Sequence, residues 1–205
     1  MKTRPLHGEK PADRMKRDAG YHAAGMVEDG MVIGLGTGST TFYAMERLSG
    51  LIEEGLRIKG VPTSFQTEIR ARQLRIPLTS LDEYPEPDLA IDGADQVDPL
   101  FRLIKGRGAA ITREKCVAAA AGQLIIIVDS SKCVRSLSGV VPVEVIPFAL
   151  HPVILGVRAV GGIPELRNGI RKDGPVITDN GNFILDCSFG EITEPERLEG
   201  ILSLM

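Results

Sequence analysis

Residues 91–115 read IDGADQVDPLFRLIKGRGAAITREK, a stretch that gathers several groups able to move protons. An apolar run ends in Asp92; Gly93, Ala94 and a second carboxylate, Asp95, follow. FRLI ends in Lys105, the glycines Gly106 and Gly108 flank Arg107, and Glu114 lies where a helix begins. A base that removes a proton next to a carbonyl is a carboxylate or imidazole with a tuned proton affinity. The enediolate it leaves must be met by cations or N–H donors. Glu114, Asp92, Asp95 and Lys105 supply those types, and Lys132, just after IIIVDSS, adds a cation suited to a phosphate. Each also has a plain structural use. The helix dipole alone favours Glu114 in a first turn. Asp92 and Asp95 can cap a turn around Gly93 or hold a divalent ion, and Lys105 and Lys132 can be solvated surface charges. Their gathering at the ends of regular elements, where open α/β sheets bind ligands, favours the chemical reading.

A second candidate is Gly34-Leu35-Gly36-Thr37-Gly38-Ser39-Thr40, between a strand pattern and a helix pattern. Glycines let backbone approach an anion. The helix N-terminus adds unpaired N–H groups and a partial positive charge, and Ser39 and Thr40 add hydroxyls. A dinucleotide loop is a poorer match. Ser39 stands where the last glycine of that motif belongs, and the next strand ends in Val61-Pro62-Thr63-Ser64 without an acid for a ribose. A phosphate cradle for a small ligand, or a tight capped turn, remains.

These residues must be positioned by regular elements. The pattern predicts a helix over about Pro11 to Val27, strand MVIGL, helix FYAMERLSGL, strand RIKGVPT, a helix around TEIRARQLR and a short strand PLTSL. Strands LAID and FRLIK, helix TREKCVAAAA and strand QLIIIVD follow. Strands alternating with helices imply an α/β domain, its mainly parallel sheet covered on both faces. After Lys132 the pattern becomes strand VPVEVIPF, helix LHPVILGVRAV, strand IPELR, strand DNGNFILDCSF and helix EPERLEGILSLM. That order is the ferredoxin-like α+β unit without its last strand. The expected domains are therefore 1–134 and 135–205. The chain stops at Met205 on a helical pattern with no closing Gly or Pro, so a further C-terminal segment is expected.

Bulk properties exclude several classes. The 205 residues carry a formal charge of −3 and 4% aromatics, with no basic block, so no nucleic-acid partner is expected. LIIIV at 124–128 is the longest aliphatic run, too short to cross a bilayer, and residues 1–30 lack a signal-peptide core. A cytoplasmic protein with no membrane partner is expected. The three cysteines form no CxxC pair and the three histidines are scattered, so no zinc site or disulfide framework is expected; the cysteines read as buried free thiols. No metal and no cofactor are expected.

The segments GLGTGST, IDGAD, LIKGRGAAITREK, VDSSK, PVEVIP and TDNGNFILD, in that order, resemble ribose-5-phosphate isomerase type A. The resemblance runs from about Lys16 to Ile201. It implies a Rossmann-like domain with a smaller ferredoxin-like one, in a homodimer or homotetramer. It also implies metal-independent interconversion of ribose 5-phosphate and ribulose 5-phosphate in the pentose phosphate pathway. Glu114 then matches the proton acceptor that works through a cis-enediolate. Lys105, Asp92 and Asp95 match the groups that open the sugar ring and steady the oxyanion. Thr37, Gly38, Ser39, Thr40, Gly93, Ala94, Gly106, Arg107, Gly108 and Lys132 match substrate-binding positions, with Ser39, Thr40 and Lys132 near the phosphate, and Lys16 matches a basic position able to reach it. Arg107 departs from the family's frequent KGGG. If that position needs positive φ, arginine there is strained by about 1–2 kcal/mol; otherwise it adds a cation. Two rivals are a non-catalytic sugar-phosphate sensor, since related folds serve regulators, and another sugar-phosphate enzyme such as a deaminase or lactonase.

Overall fold

The computed structural model describes residues 10–205. Along the chain run α1 (Pro11–Ala24), β1 (Val32–Leu35), α2 (Ser39–Glu53), β2 (Lys59–Pro62), α3 (Phe65–Gln73), β3 (Leu89–Asp92), β4 (Gln96–Val97) and β5 (Leu103–Ile104). Then come α4 (Ile111–Ala120), β6 (Gln123–Ile126), β7 (Val141–Val145), α5 (Leu150–Ala159), β8 (Ile163–Leu166), β9 (Phe183–Ser188) and α6 (Pro195–Leu202). Two compact units result. Of the described residues, the first holds those from 10 to 93 together with 112–131, the second 94–111 together with 132–205. The chain thus passes from one to the other at three places, where the sequence suggested a single boundary after 134.

The first unit is a four-stranded parallel sheet in the order β2-β1-β3-β6. β1 and β3 are buried along their whole length, which is why they read as unbroken apolar runs. Ile33, Leu35 and Ile91 join Ala44 and Leu48 of α2 and Ala23 and Ala24 of α1 in the main core. Val32, Val61 and Ala90 on the other face meet Val117 of α4. PLTSL, expected as a strand, contributes only a parallel bridge from Leu78 to Gly60; Pro77 and the polar Thr79 and Ser80 leave little to extend it.

The second unit contains the antiparallel sheet β7-β9-β8 with α5 between its first two strands in the chain. Val145, Val153, Val157, Leu185 and Cys187 form one core cluster, and Ile104, Leu137 and Ile192 form another. Ile104 explains why 94–111 belongs here. β5 is not a strand of the parallel sheet. It pairs antiparallel with β4, a two-residue strand too short for periodicity to reveal.

The cysteines correct one expectation: Cys116 and Cys133 are exposed, and only Cys187 is buried. Burial, aided by the charge of Asp186, pushes the Cys187 thiol up to about 12. A thiol-titrating disulfide reagent is therefore expected to react rapidly with Cys116 and Cys133 of the native protein and with Cys187 only after denaturation. Equally rapid reaction at all three would refute that burial.

Candidate active site

In the parallel sheet, β2 pairs with one edge of β1 and β3 with the other. Successive connections therefore diverge, opening a crevice at the carboxyl ends of β1 and β3. Gly36 leaves β1 there, and Asp92 ends β3. The Gly36 N–H donates to the Ile91 carbonyl at 2.9 Å. A Cβ on Gly36 would stand 2.3 Å from Asp92 Oδ1 and 2.7 Å from Asp92 Cα. The glycine therefore makes room for the acid, which is only 3% exposed. Asp92 Oδ1 accepts the Gly93 N–H at 2.7 Å, and its backbone carbonyl accepts the Ile127 N–H at 2.8 Å. The turn-capping use of Asp92 is thus real, and it holds the carboxylate in place.

The glycine loop is braced by a group of hydroxyls that the sequence reading did not assign. Thr37 Oγ1 donates to Ser64 Oγ at 2.8 Å and lies 3.0 Å from Thr63 Oγ1 and 3.1 Å from Thr67 Oγ1. Thr67 Oγ1 donates to the Gly36 carbonyl at 3.1 Å, and Thr63 Oγ1 to the Leu35 carbonyl at 3.0 Å. Thr37, matched to a ligand position, therefore spends its hydroxyl on the protein and offers a ligand its backbone. Thr63 and Ser64 offer no acid to a ribose, but their hydroxyls hold the glycine loop. Gly38, at φ 139°, caps α2, and Ser39 and Thr40 open the helix with their N–H groups available to an anion. A cleft of about 360 Å³ adjoins this loop, lined by Gly36, Gly38, Ser39, Thr41, Gln66 and Arg70. Arg70, seated 4.6 Å from the centre of the Phe42 ring, brings it an unforeseen cation. Asp92 and Glu114 do not line that cleft. A larger one, about 520 Å³, is walled by Glu68, Arg72, Glu83 and Arg113 and contains none of the expected site residues.

Glu114 lies in the first turn of α4 and is 4% exposed. Val117, one turn on, faces the sheet closely enough that a Cβ on Gly34 would stand 2.4 Å from its Cγ1. Residues i and i+3 share a helix face, so Glu114 points inward. α4 connects parallel strands and runs against them, which sets its N-terminus toward their carboxyl ends. Glu114 therefore belongs to the end of the sheet that carries Gly36 and Asp92, and it does not face solvent.

Asp95 and Lys105 to Gly108 build a loop in the second unit. Asp95 N–H donates to the Ile104 carbonyl at 2.7 Å, and Asp95 Oδ2 accepts the Arg107 N–H at 3.0 Å. Lys105 follows β5, half-buried, and Gly106 is buried at φ 101°. The left-handed positions here are Gly106 and Ala109, the latter at φ 59°; Arg107 is not one. The substitution in the family pattern is thus unstrained, and any strain falls on Ala109. Ala109→Gly is expected to stabilise the protein by about 0.5–1 kcal/mol, the relief of a left-handed alanine less the glycine's extra unfolded-state entropy. Denaturant unfolding reads this, and a loss of stability would refute it. Ala94 and the exposed Gly108 belong to the same unit. Lys132 ends a short 3₁₀ turn and is partly exposed. Lys16 lies in the second turn of α1, in the first unit, also partly exposed.

The family model of ribose 5-phosphate isomerase A (phosphoriboisomerase A) matches residues 59–205. The chain belongs to this family. A ribose-5-phosphate isomerase A from Methanoregula boonei is 65% identical over 184 residues, covering 90% of this chain and 78% of the relative. A D-ribose-5-phosphate isomerase solved in complex with phospho-erythronic acid superimposes with a TM-score of 0.91 at 46% identity, covering 96% of this chain and 87% of its own. The ribose 5-phosphate isomerase A of Methanocaldococcus jannaschii gives 0.88 at 44% identity, with coverages of 92% and 85%. Membership of the ribose 5-phosphate isomerase A family makes the chain an enzyme of the isomerase class. It sets aside the sensor, deaminase and lactonase readings, and it agrees with the α/β sheet and the smaller antiparallel unit. Among the described residues, no helix is long and apolar enough to cross a membrane.

Proposed function

We propose that this isomerase interconverts D-ribose 5-phosphate and D-ribulose 5-phosphate through a cis-enediolate, using its own side chains and no metal. The observation that carries the reading is the withdrawal of Glu114 from solvent at the N-terminus of α4, on the end of the sheet where Gly36 and Asp92 meet. The ring opens when the anomeric hydroxyl loses a proton and the ring oxygen gains one, freeing the C1 aldehyde; Asp92, Asp95 and Lys105 are assigned to this exchange. Glu114 then removes the C2 proton. The electron pair moves into a C1–C2 double bond, and negative charge gathers on O1, which Lys105 and loop N–H donors steady. O1 gains a proton, Glu114 returns its proton to C1, and the C2 hydroxyl loses its own to become the ketone. The phosphate, held by the Gly38–Thr40 turn with Lys132 and Lys16, supplies binding energy remote from the reacting carbons. Gly93, Ala94, Gly106, Arg107 and Gly108 line the sugar with backbone.

Phospho-erythronic acid, the ligand of the solved relative, supports this reading. It joins a phosphate to a planar carboxylate through hydroxylated carbons, as an enediolate would. We assign the chain, on the same kinship, to the cytoplasm as a homodimer or homotetramer, which light scattering resolves. The decisive assay supplies ribose 5-phosphate with EDTA present. Ketopentose is expected to appear at the rate seen without chelator; a lasting loss restored by added divalent cation would refute the metal-free mechanism.

A further inference from the structure

We propose that Arg167 and Asp186 form a positioning device for the Lys105–Gly108 loop. The inference rests on the isomerase reading, since it gives that loop's lysine a chemical task. Arg167 directly follows β8, and its N–H donates to the Ile184 carbonyl at 2.9 Å, so its backbone is still registered on β9. Asp186 lies on β9, the central strand, paired with Pro142 of β7 on one side and Glu165 of β8 on the other. Both ends of the pair therefore start from the best-fixed part of the antiparallel sheet. Arg167 Nε donates to Asp186 Oδ2 at 2.8 Å and Nη2 donates to Oδ1, a two-point fork. Its remaining arm, Nη1, donates to the Arg107 carbonyl at 2.9 Å.

Arg107 is thus held from both sides of its backbone: Asp95 Oδ2 takes the N–H and Arg167 supplies the donor for the C=O. Lys105 lies two residues before this anchor. The two side chains are only 18% and 28% exposed, so the pair also helps hold the sheet; a pair serving only the sheet, however, would leave its third arm to water. Here the fork fixes the guanidinium plane so that the third arm can hold the loop. Lysine, a point charge, cannot make all three bonds.

The test measures steady-state isomerisation of ribose 5-phosphate by the full chain carrying Arg167→Ala, Arg167→Lys or Asp186→Asn. A Val153→Ala variant, a core truncation in the same unit, serves as the control. Arg167→Ala is expected to lower kcat about tenfold or more with KM within about threefold, together with a lowered Tm, since it leaves the Asp186 carboxylate without its partner. Arg167→Lys should regain little, and millimolar guanidinium should restore part of the Arg167→Ala rate. Val153→Ala should also lower Tm yet keep its turnover below the unfolding range. Asp186→Asn, which keeps the shape of its partner, is expected to show a smaller kcat loss of the same kind; it decides the matter should Arg167→Ala not fold. Wild-type turnover in Arg167→Ala and Asp186→Asn would overturn the proposal. So would a loss that guanidinium leaves untouched and that Val153→Ala reproduces. An inactive wild-type chain would instead refute the isomerase reading itself.

Discussion

Glu114→Gln is expected to cut turnover on ribose 5-phosphate by about 10²–10⁴-fold and to leave the Michaelis constant within about threefold. Glutamine preserves the size and much of the hydrogen bonding of glutamate but cannot accept and return a proton. The side chain is 4% exposed in the first turn of α4, so water does not readily take its place. The substrate's phosphate, by contrast, is assigned to other residues, which is why binding should survive. Solvent tritium exchange at C2 offers a second readout, because a relay through one carboxylate that fails should slow exchange and isomerisation together. Full turnover in Glu114→Gln would remove the residue from the mechanism.

Gly36→Ala should be nearly as damaging, by another route. The added methyl would stand 2.3 Å from Asp92 Oδ1, 2.6 Å from its Cγ and 2.7 Å from its Cα. Swinging the Asp92 side chain about its Cα–Cβ bond relieves the first two contacts only; the third is backbone, so the ends of β1 and β3 must separate. Overpacking of this kind costs about 1–3 kcal/mol, and a misplacement near 1 Å costs about 10²-fold in rate. Reduced stability with turnover lowered about 10²-fold is therefore the expected result, read by denaturant unfolding and steady-state kinetics. A stable and fully active Gly36→Ala would show that Asp92 has no required position there.

The strands and helices that carry these groups were legible because their burial is simple. VIGL and LAID are covered on both faces and read as apolar runs, and α1, α2 and α5 show buried stripes. β4 was not, and FRLIK, which holds β5, gave no sign of its antiparallel partner, because a two-residue pairing leaves no periodic trace and its register comes from the fold. Glu114 and Asp92 could be proposed from residue type and placement at element ends. The brace under Thr37 could not. Thr63, Ser64 and Thr67 are ordinary polar letters until folding sets them against one loop, and hydroxyl partnership has no sequence period. Arg167 escaped notice for the same reason, since Asp186 is distant in sequence and the loop acceptor is a backbone carbonyl, which carries no identity in the sequence. The ambiguity at Arg107 needed a dihedral angle, which shows Ala109 to be the left-handed residue after Gly106.

The triple passage of the chain between its units bears on how the molecule is made. During synthesis from the N-terminus, residues 94–111 leave the ribosome ahead of 132–205, the stretch with which they build a core: Ile104 must wait for Leu137 and then Ile192. The parallel sheet waits as well, since β6 is its last strand to emerge. Non-local pairing of this sort slows folding, and an unsatisfied hairpin is exposed to misassembly in the interval. A nascent chain halted near residue 131 thus holds every strand of the sheet and a stranded insert, which makes that length the point where chaperone engagement should peak.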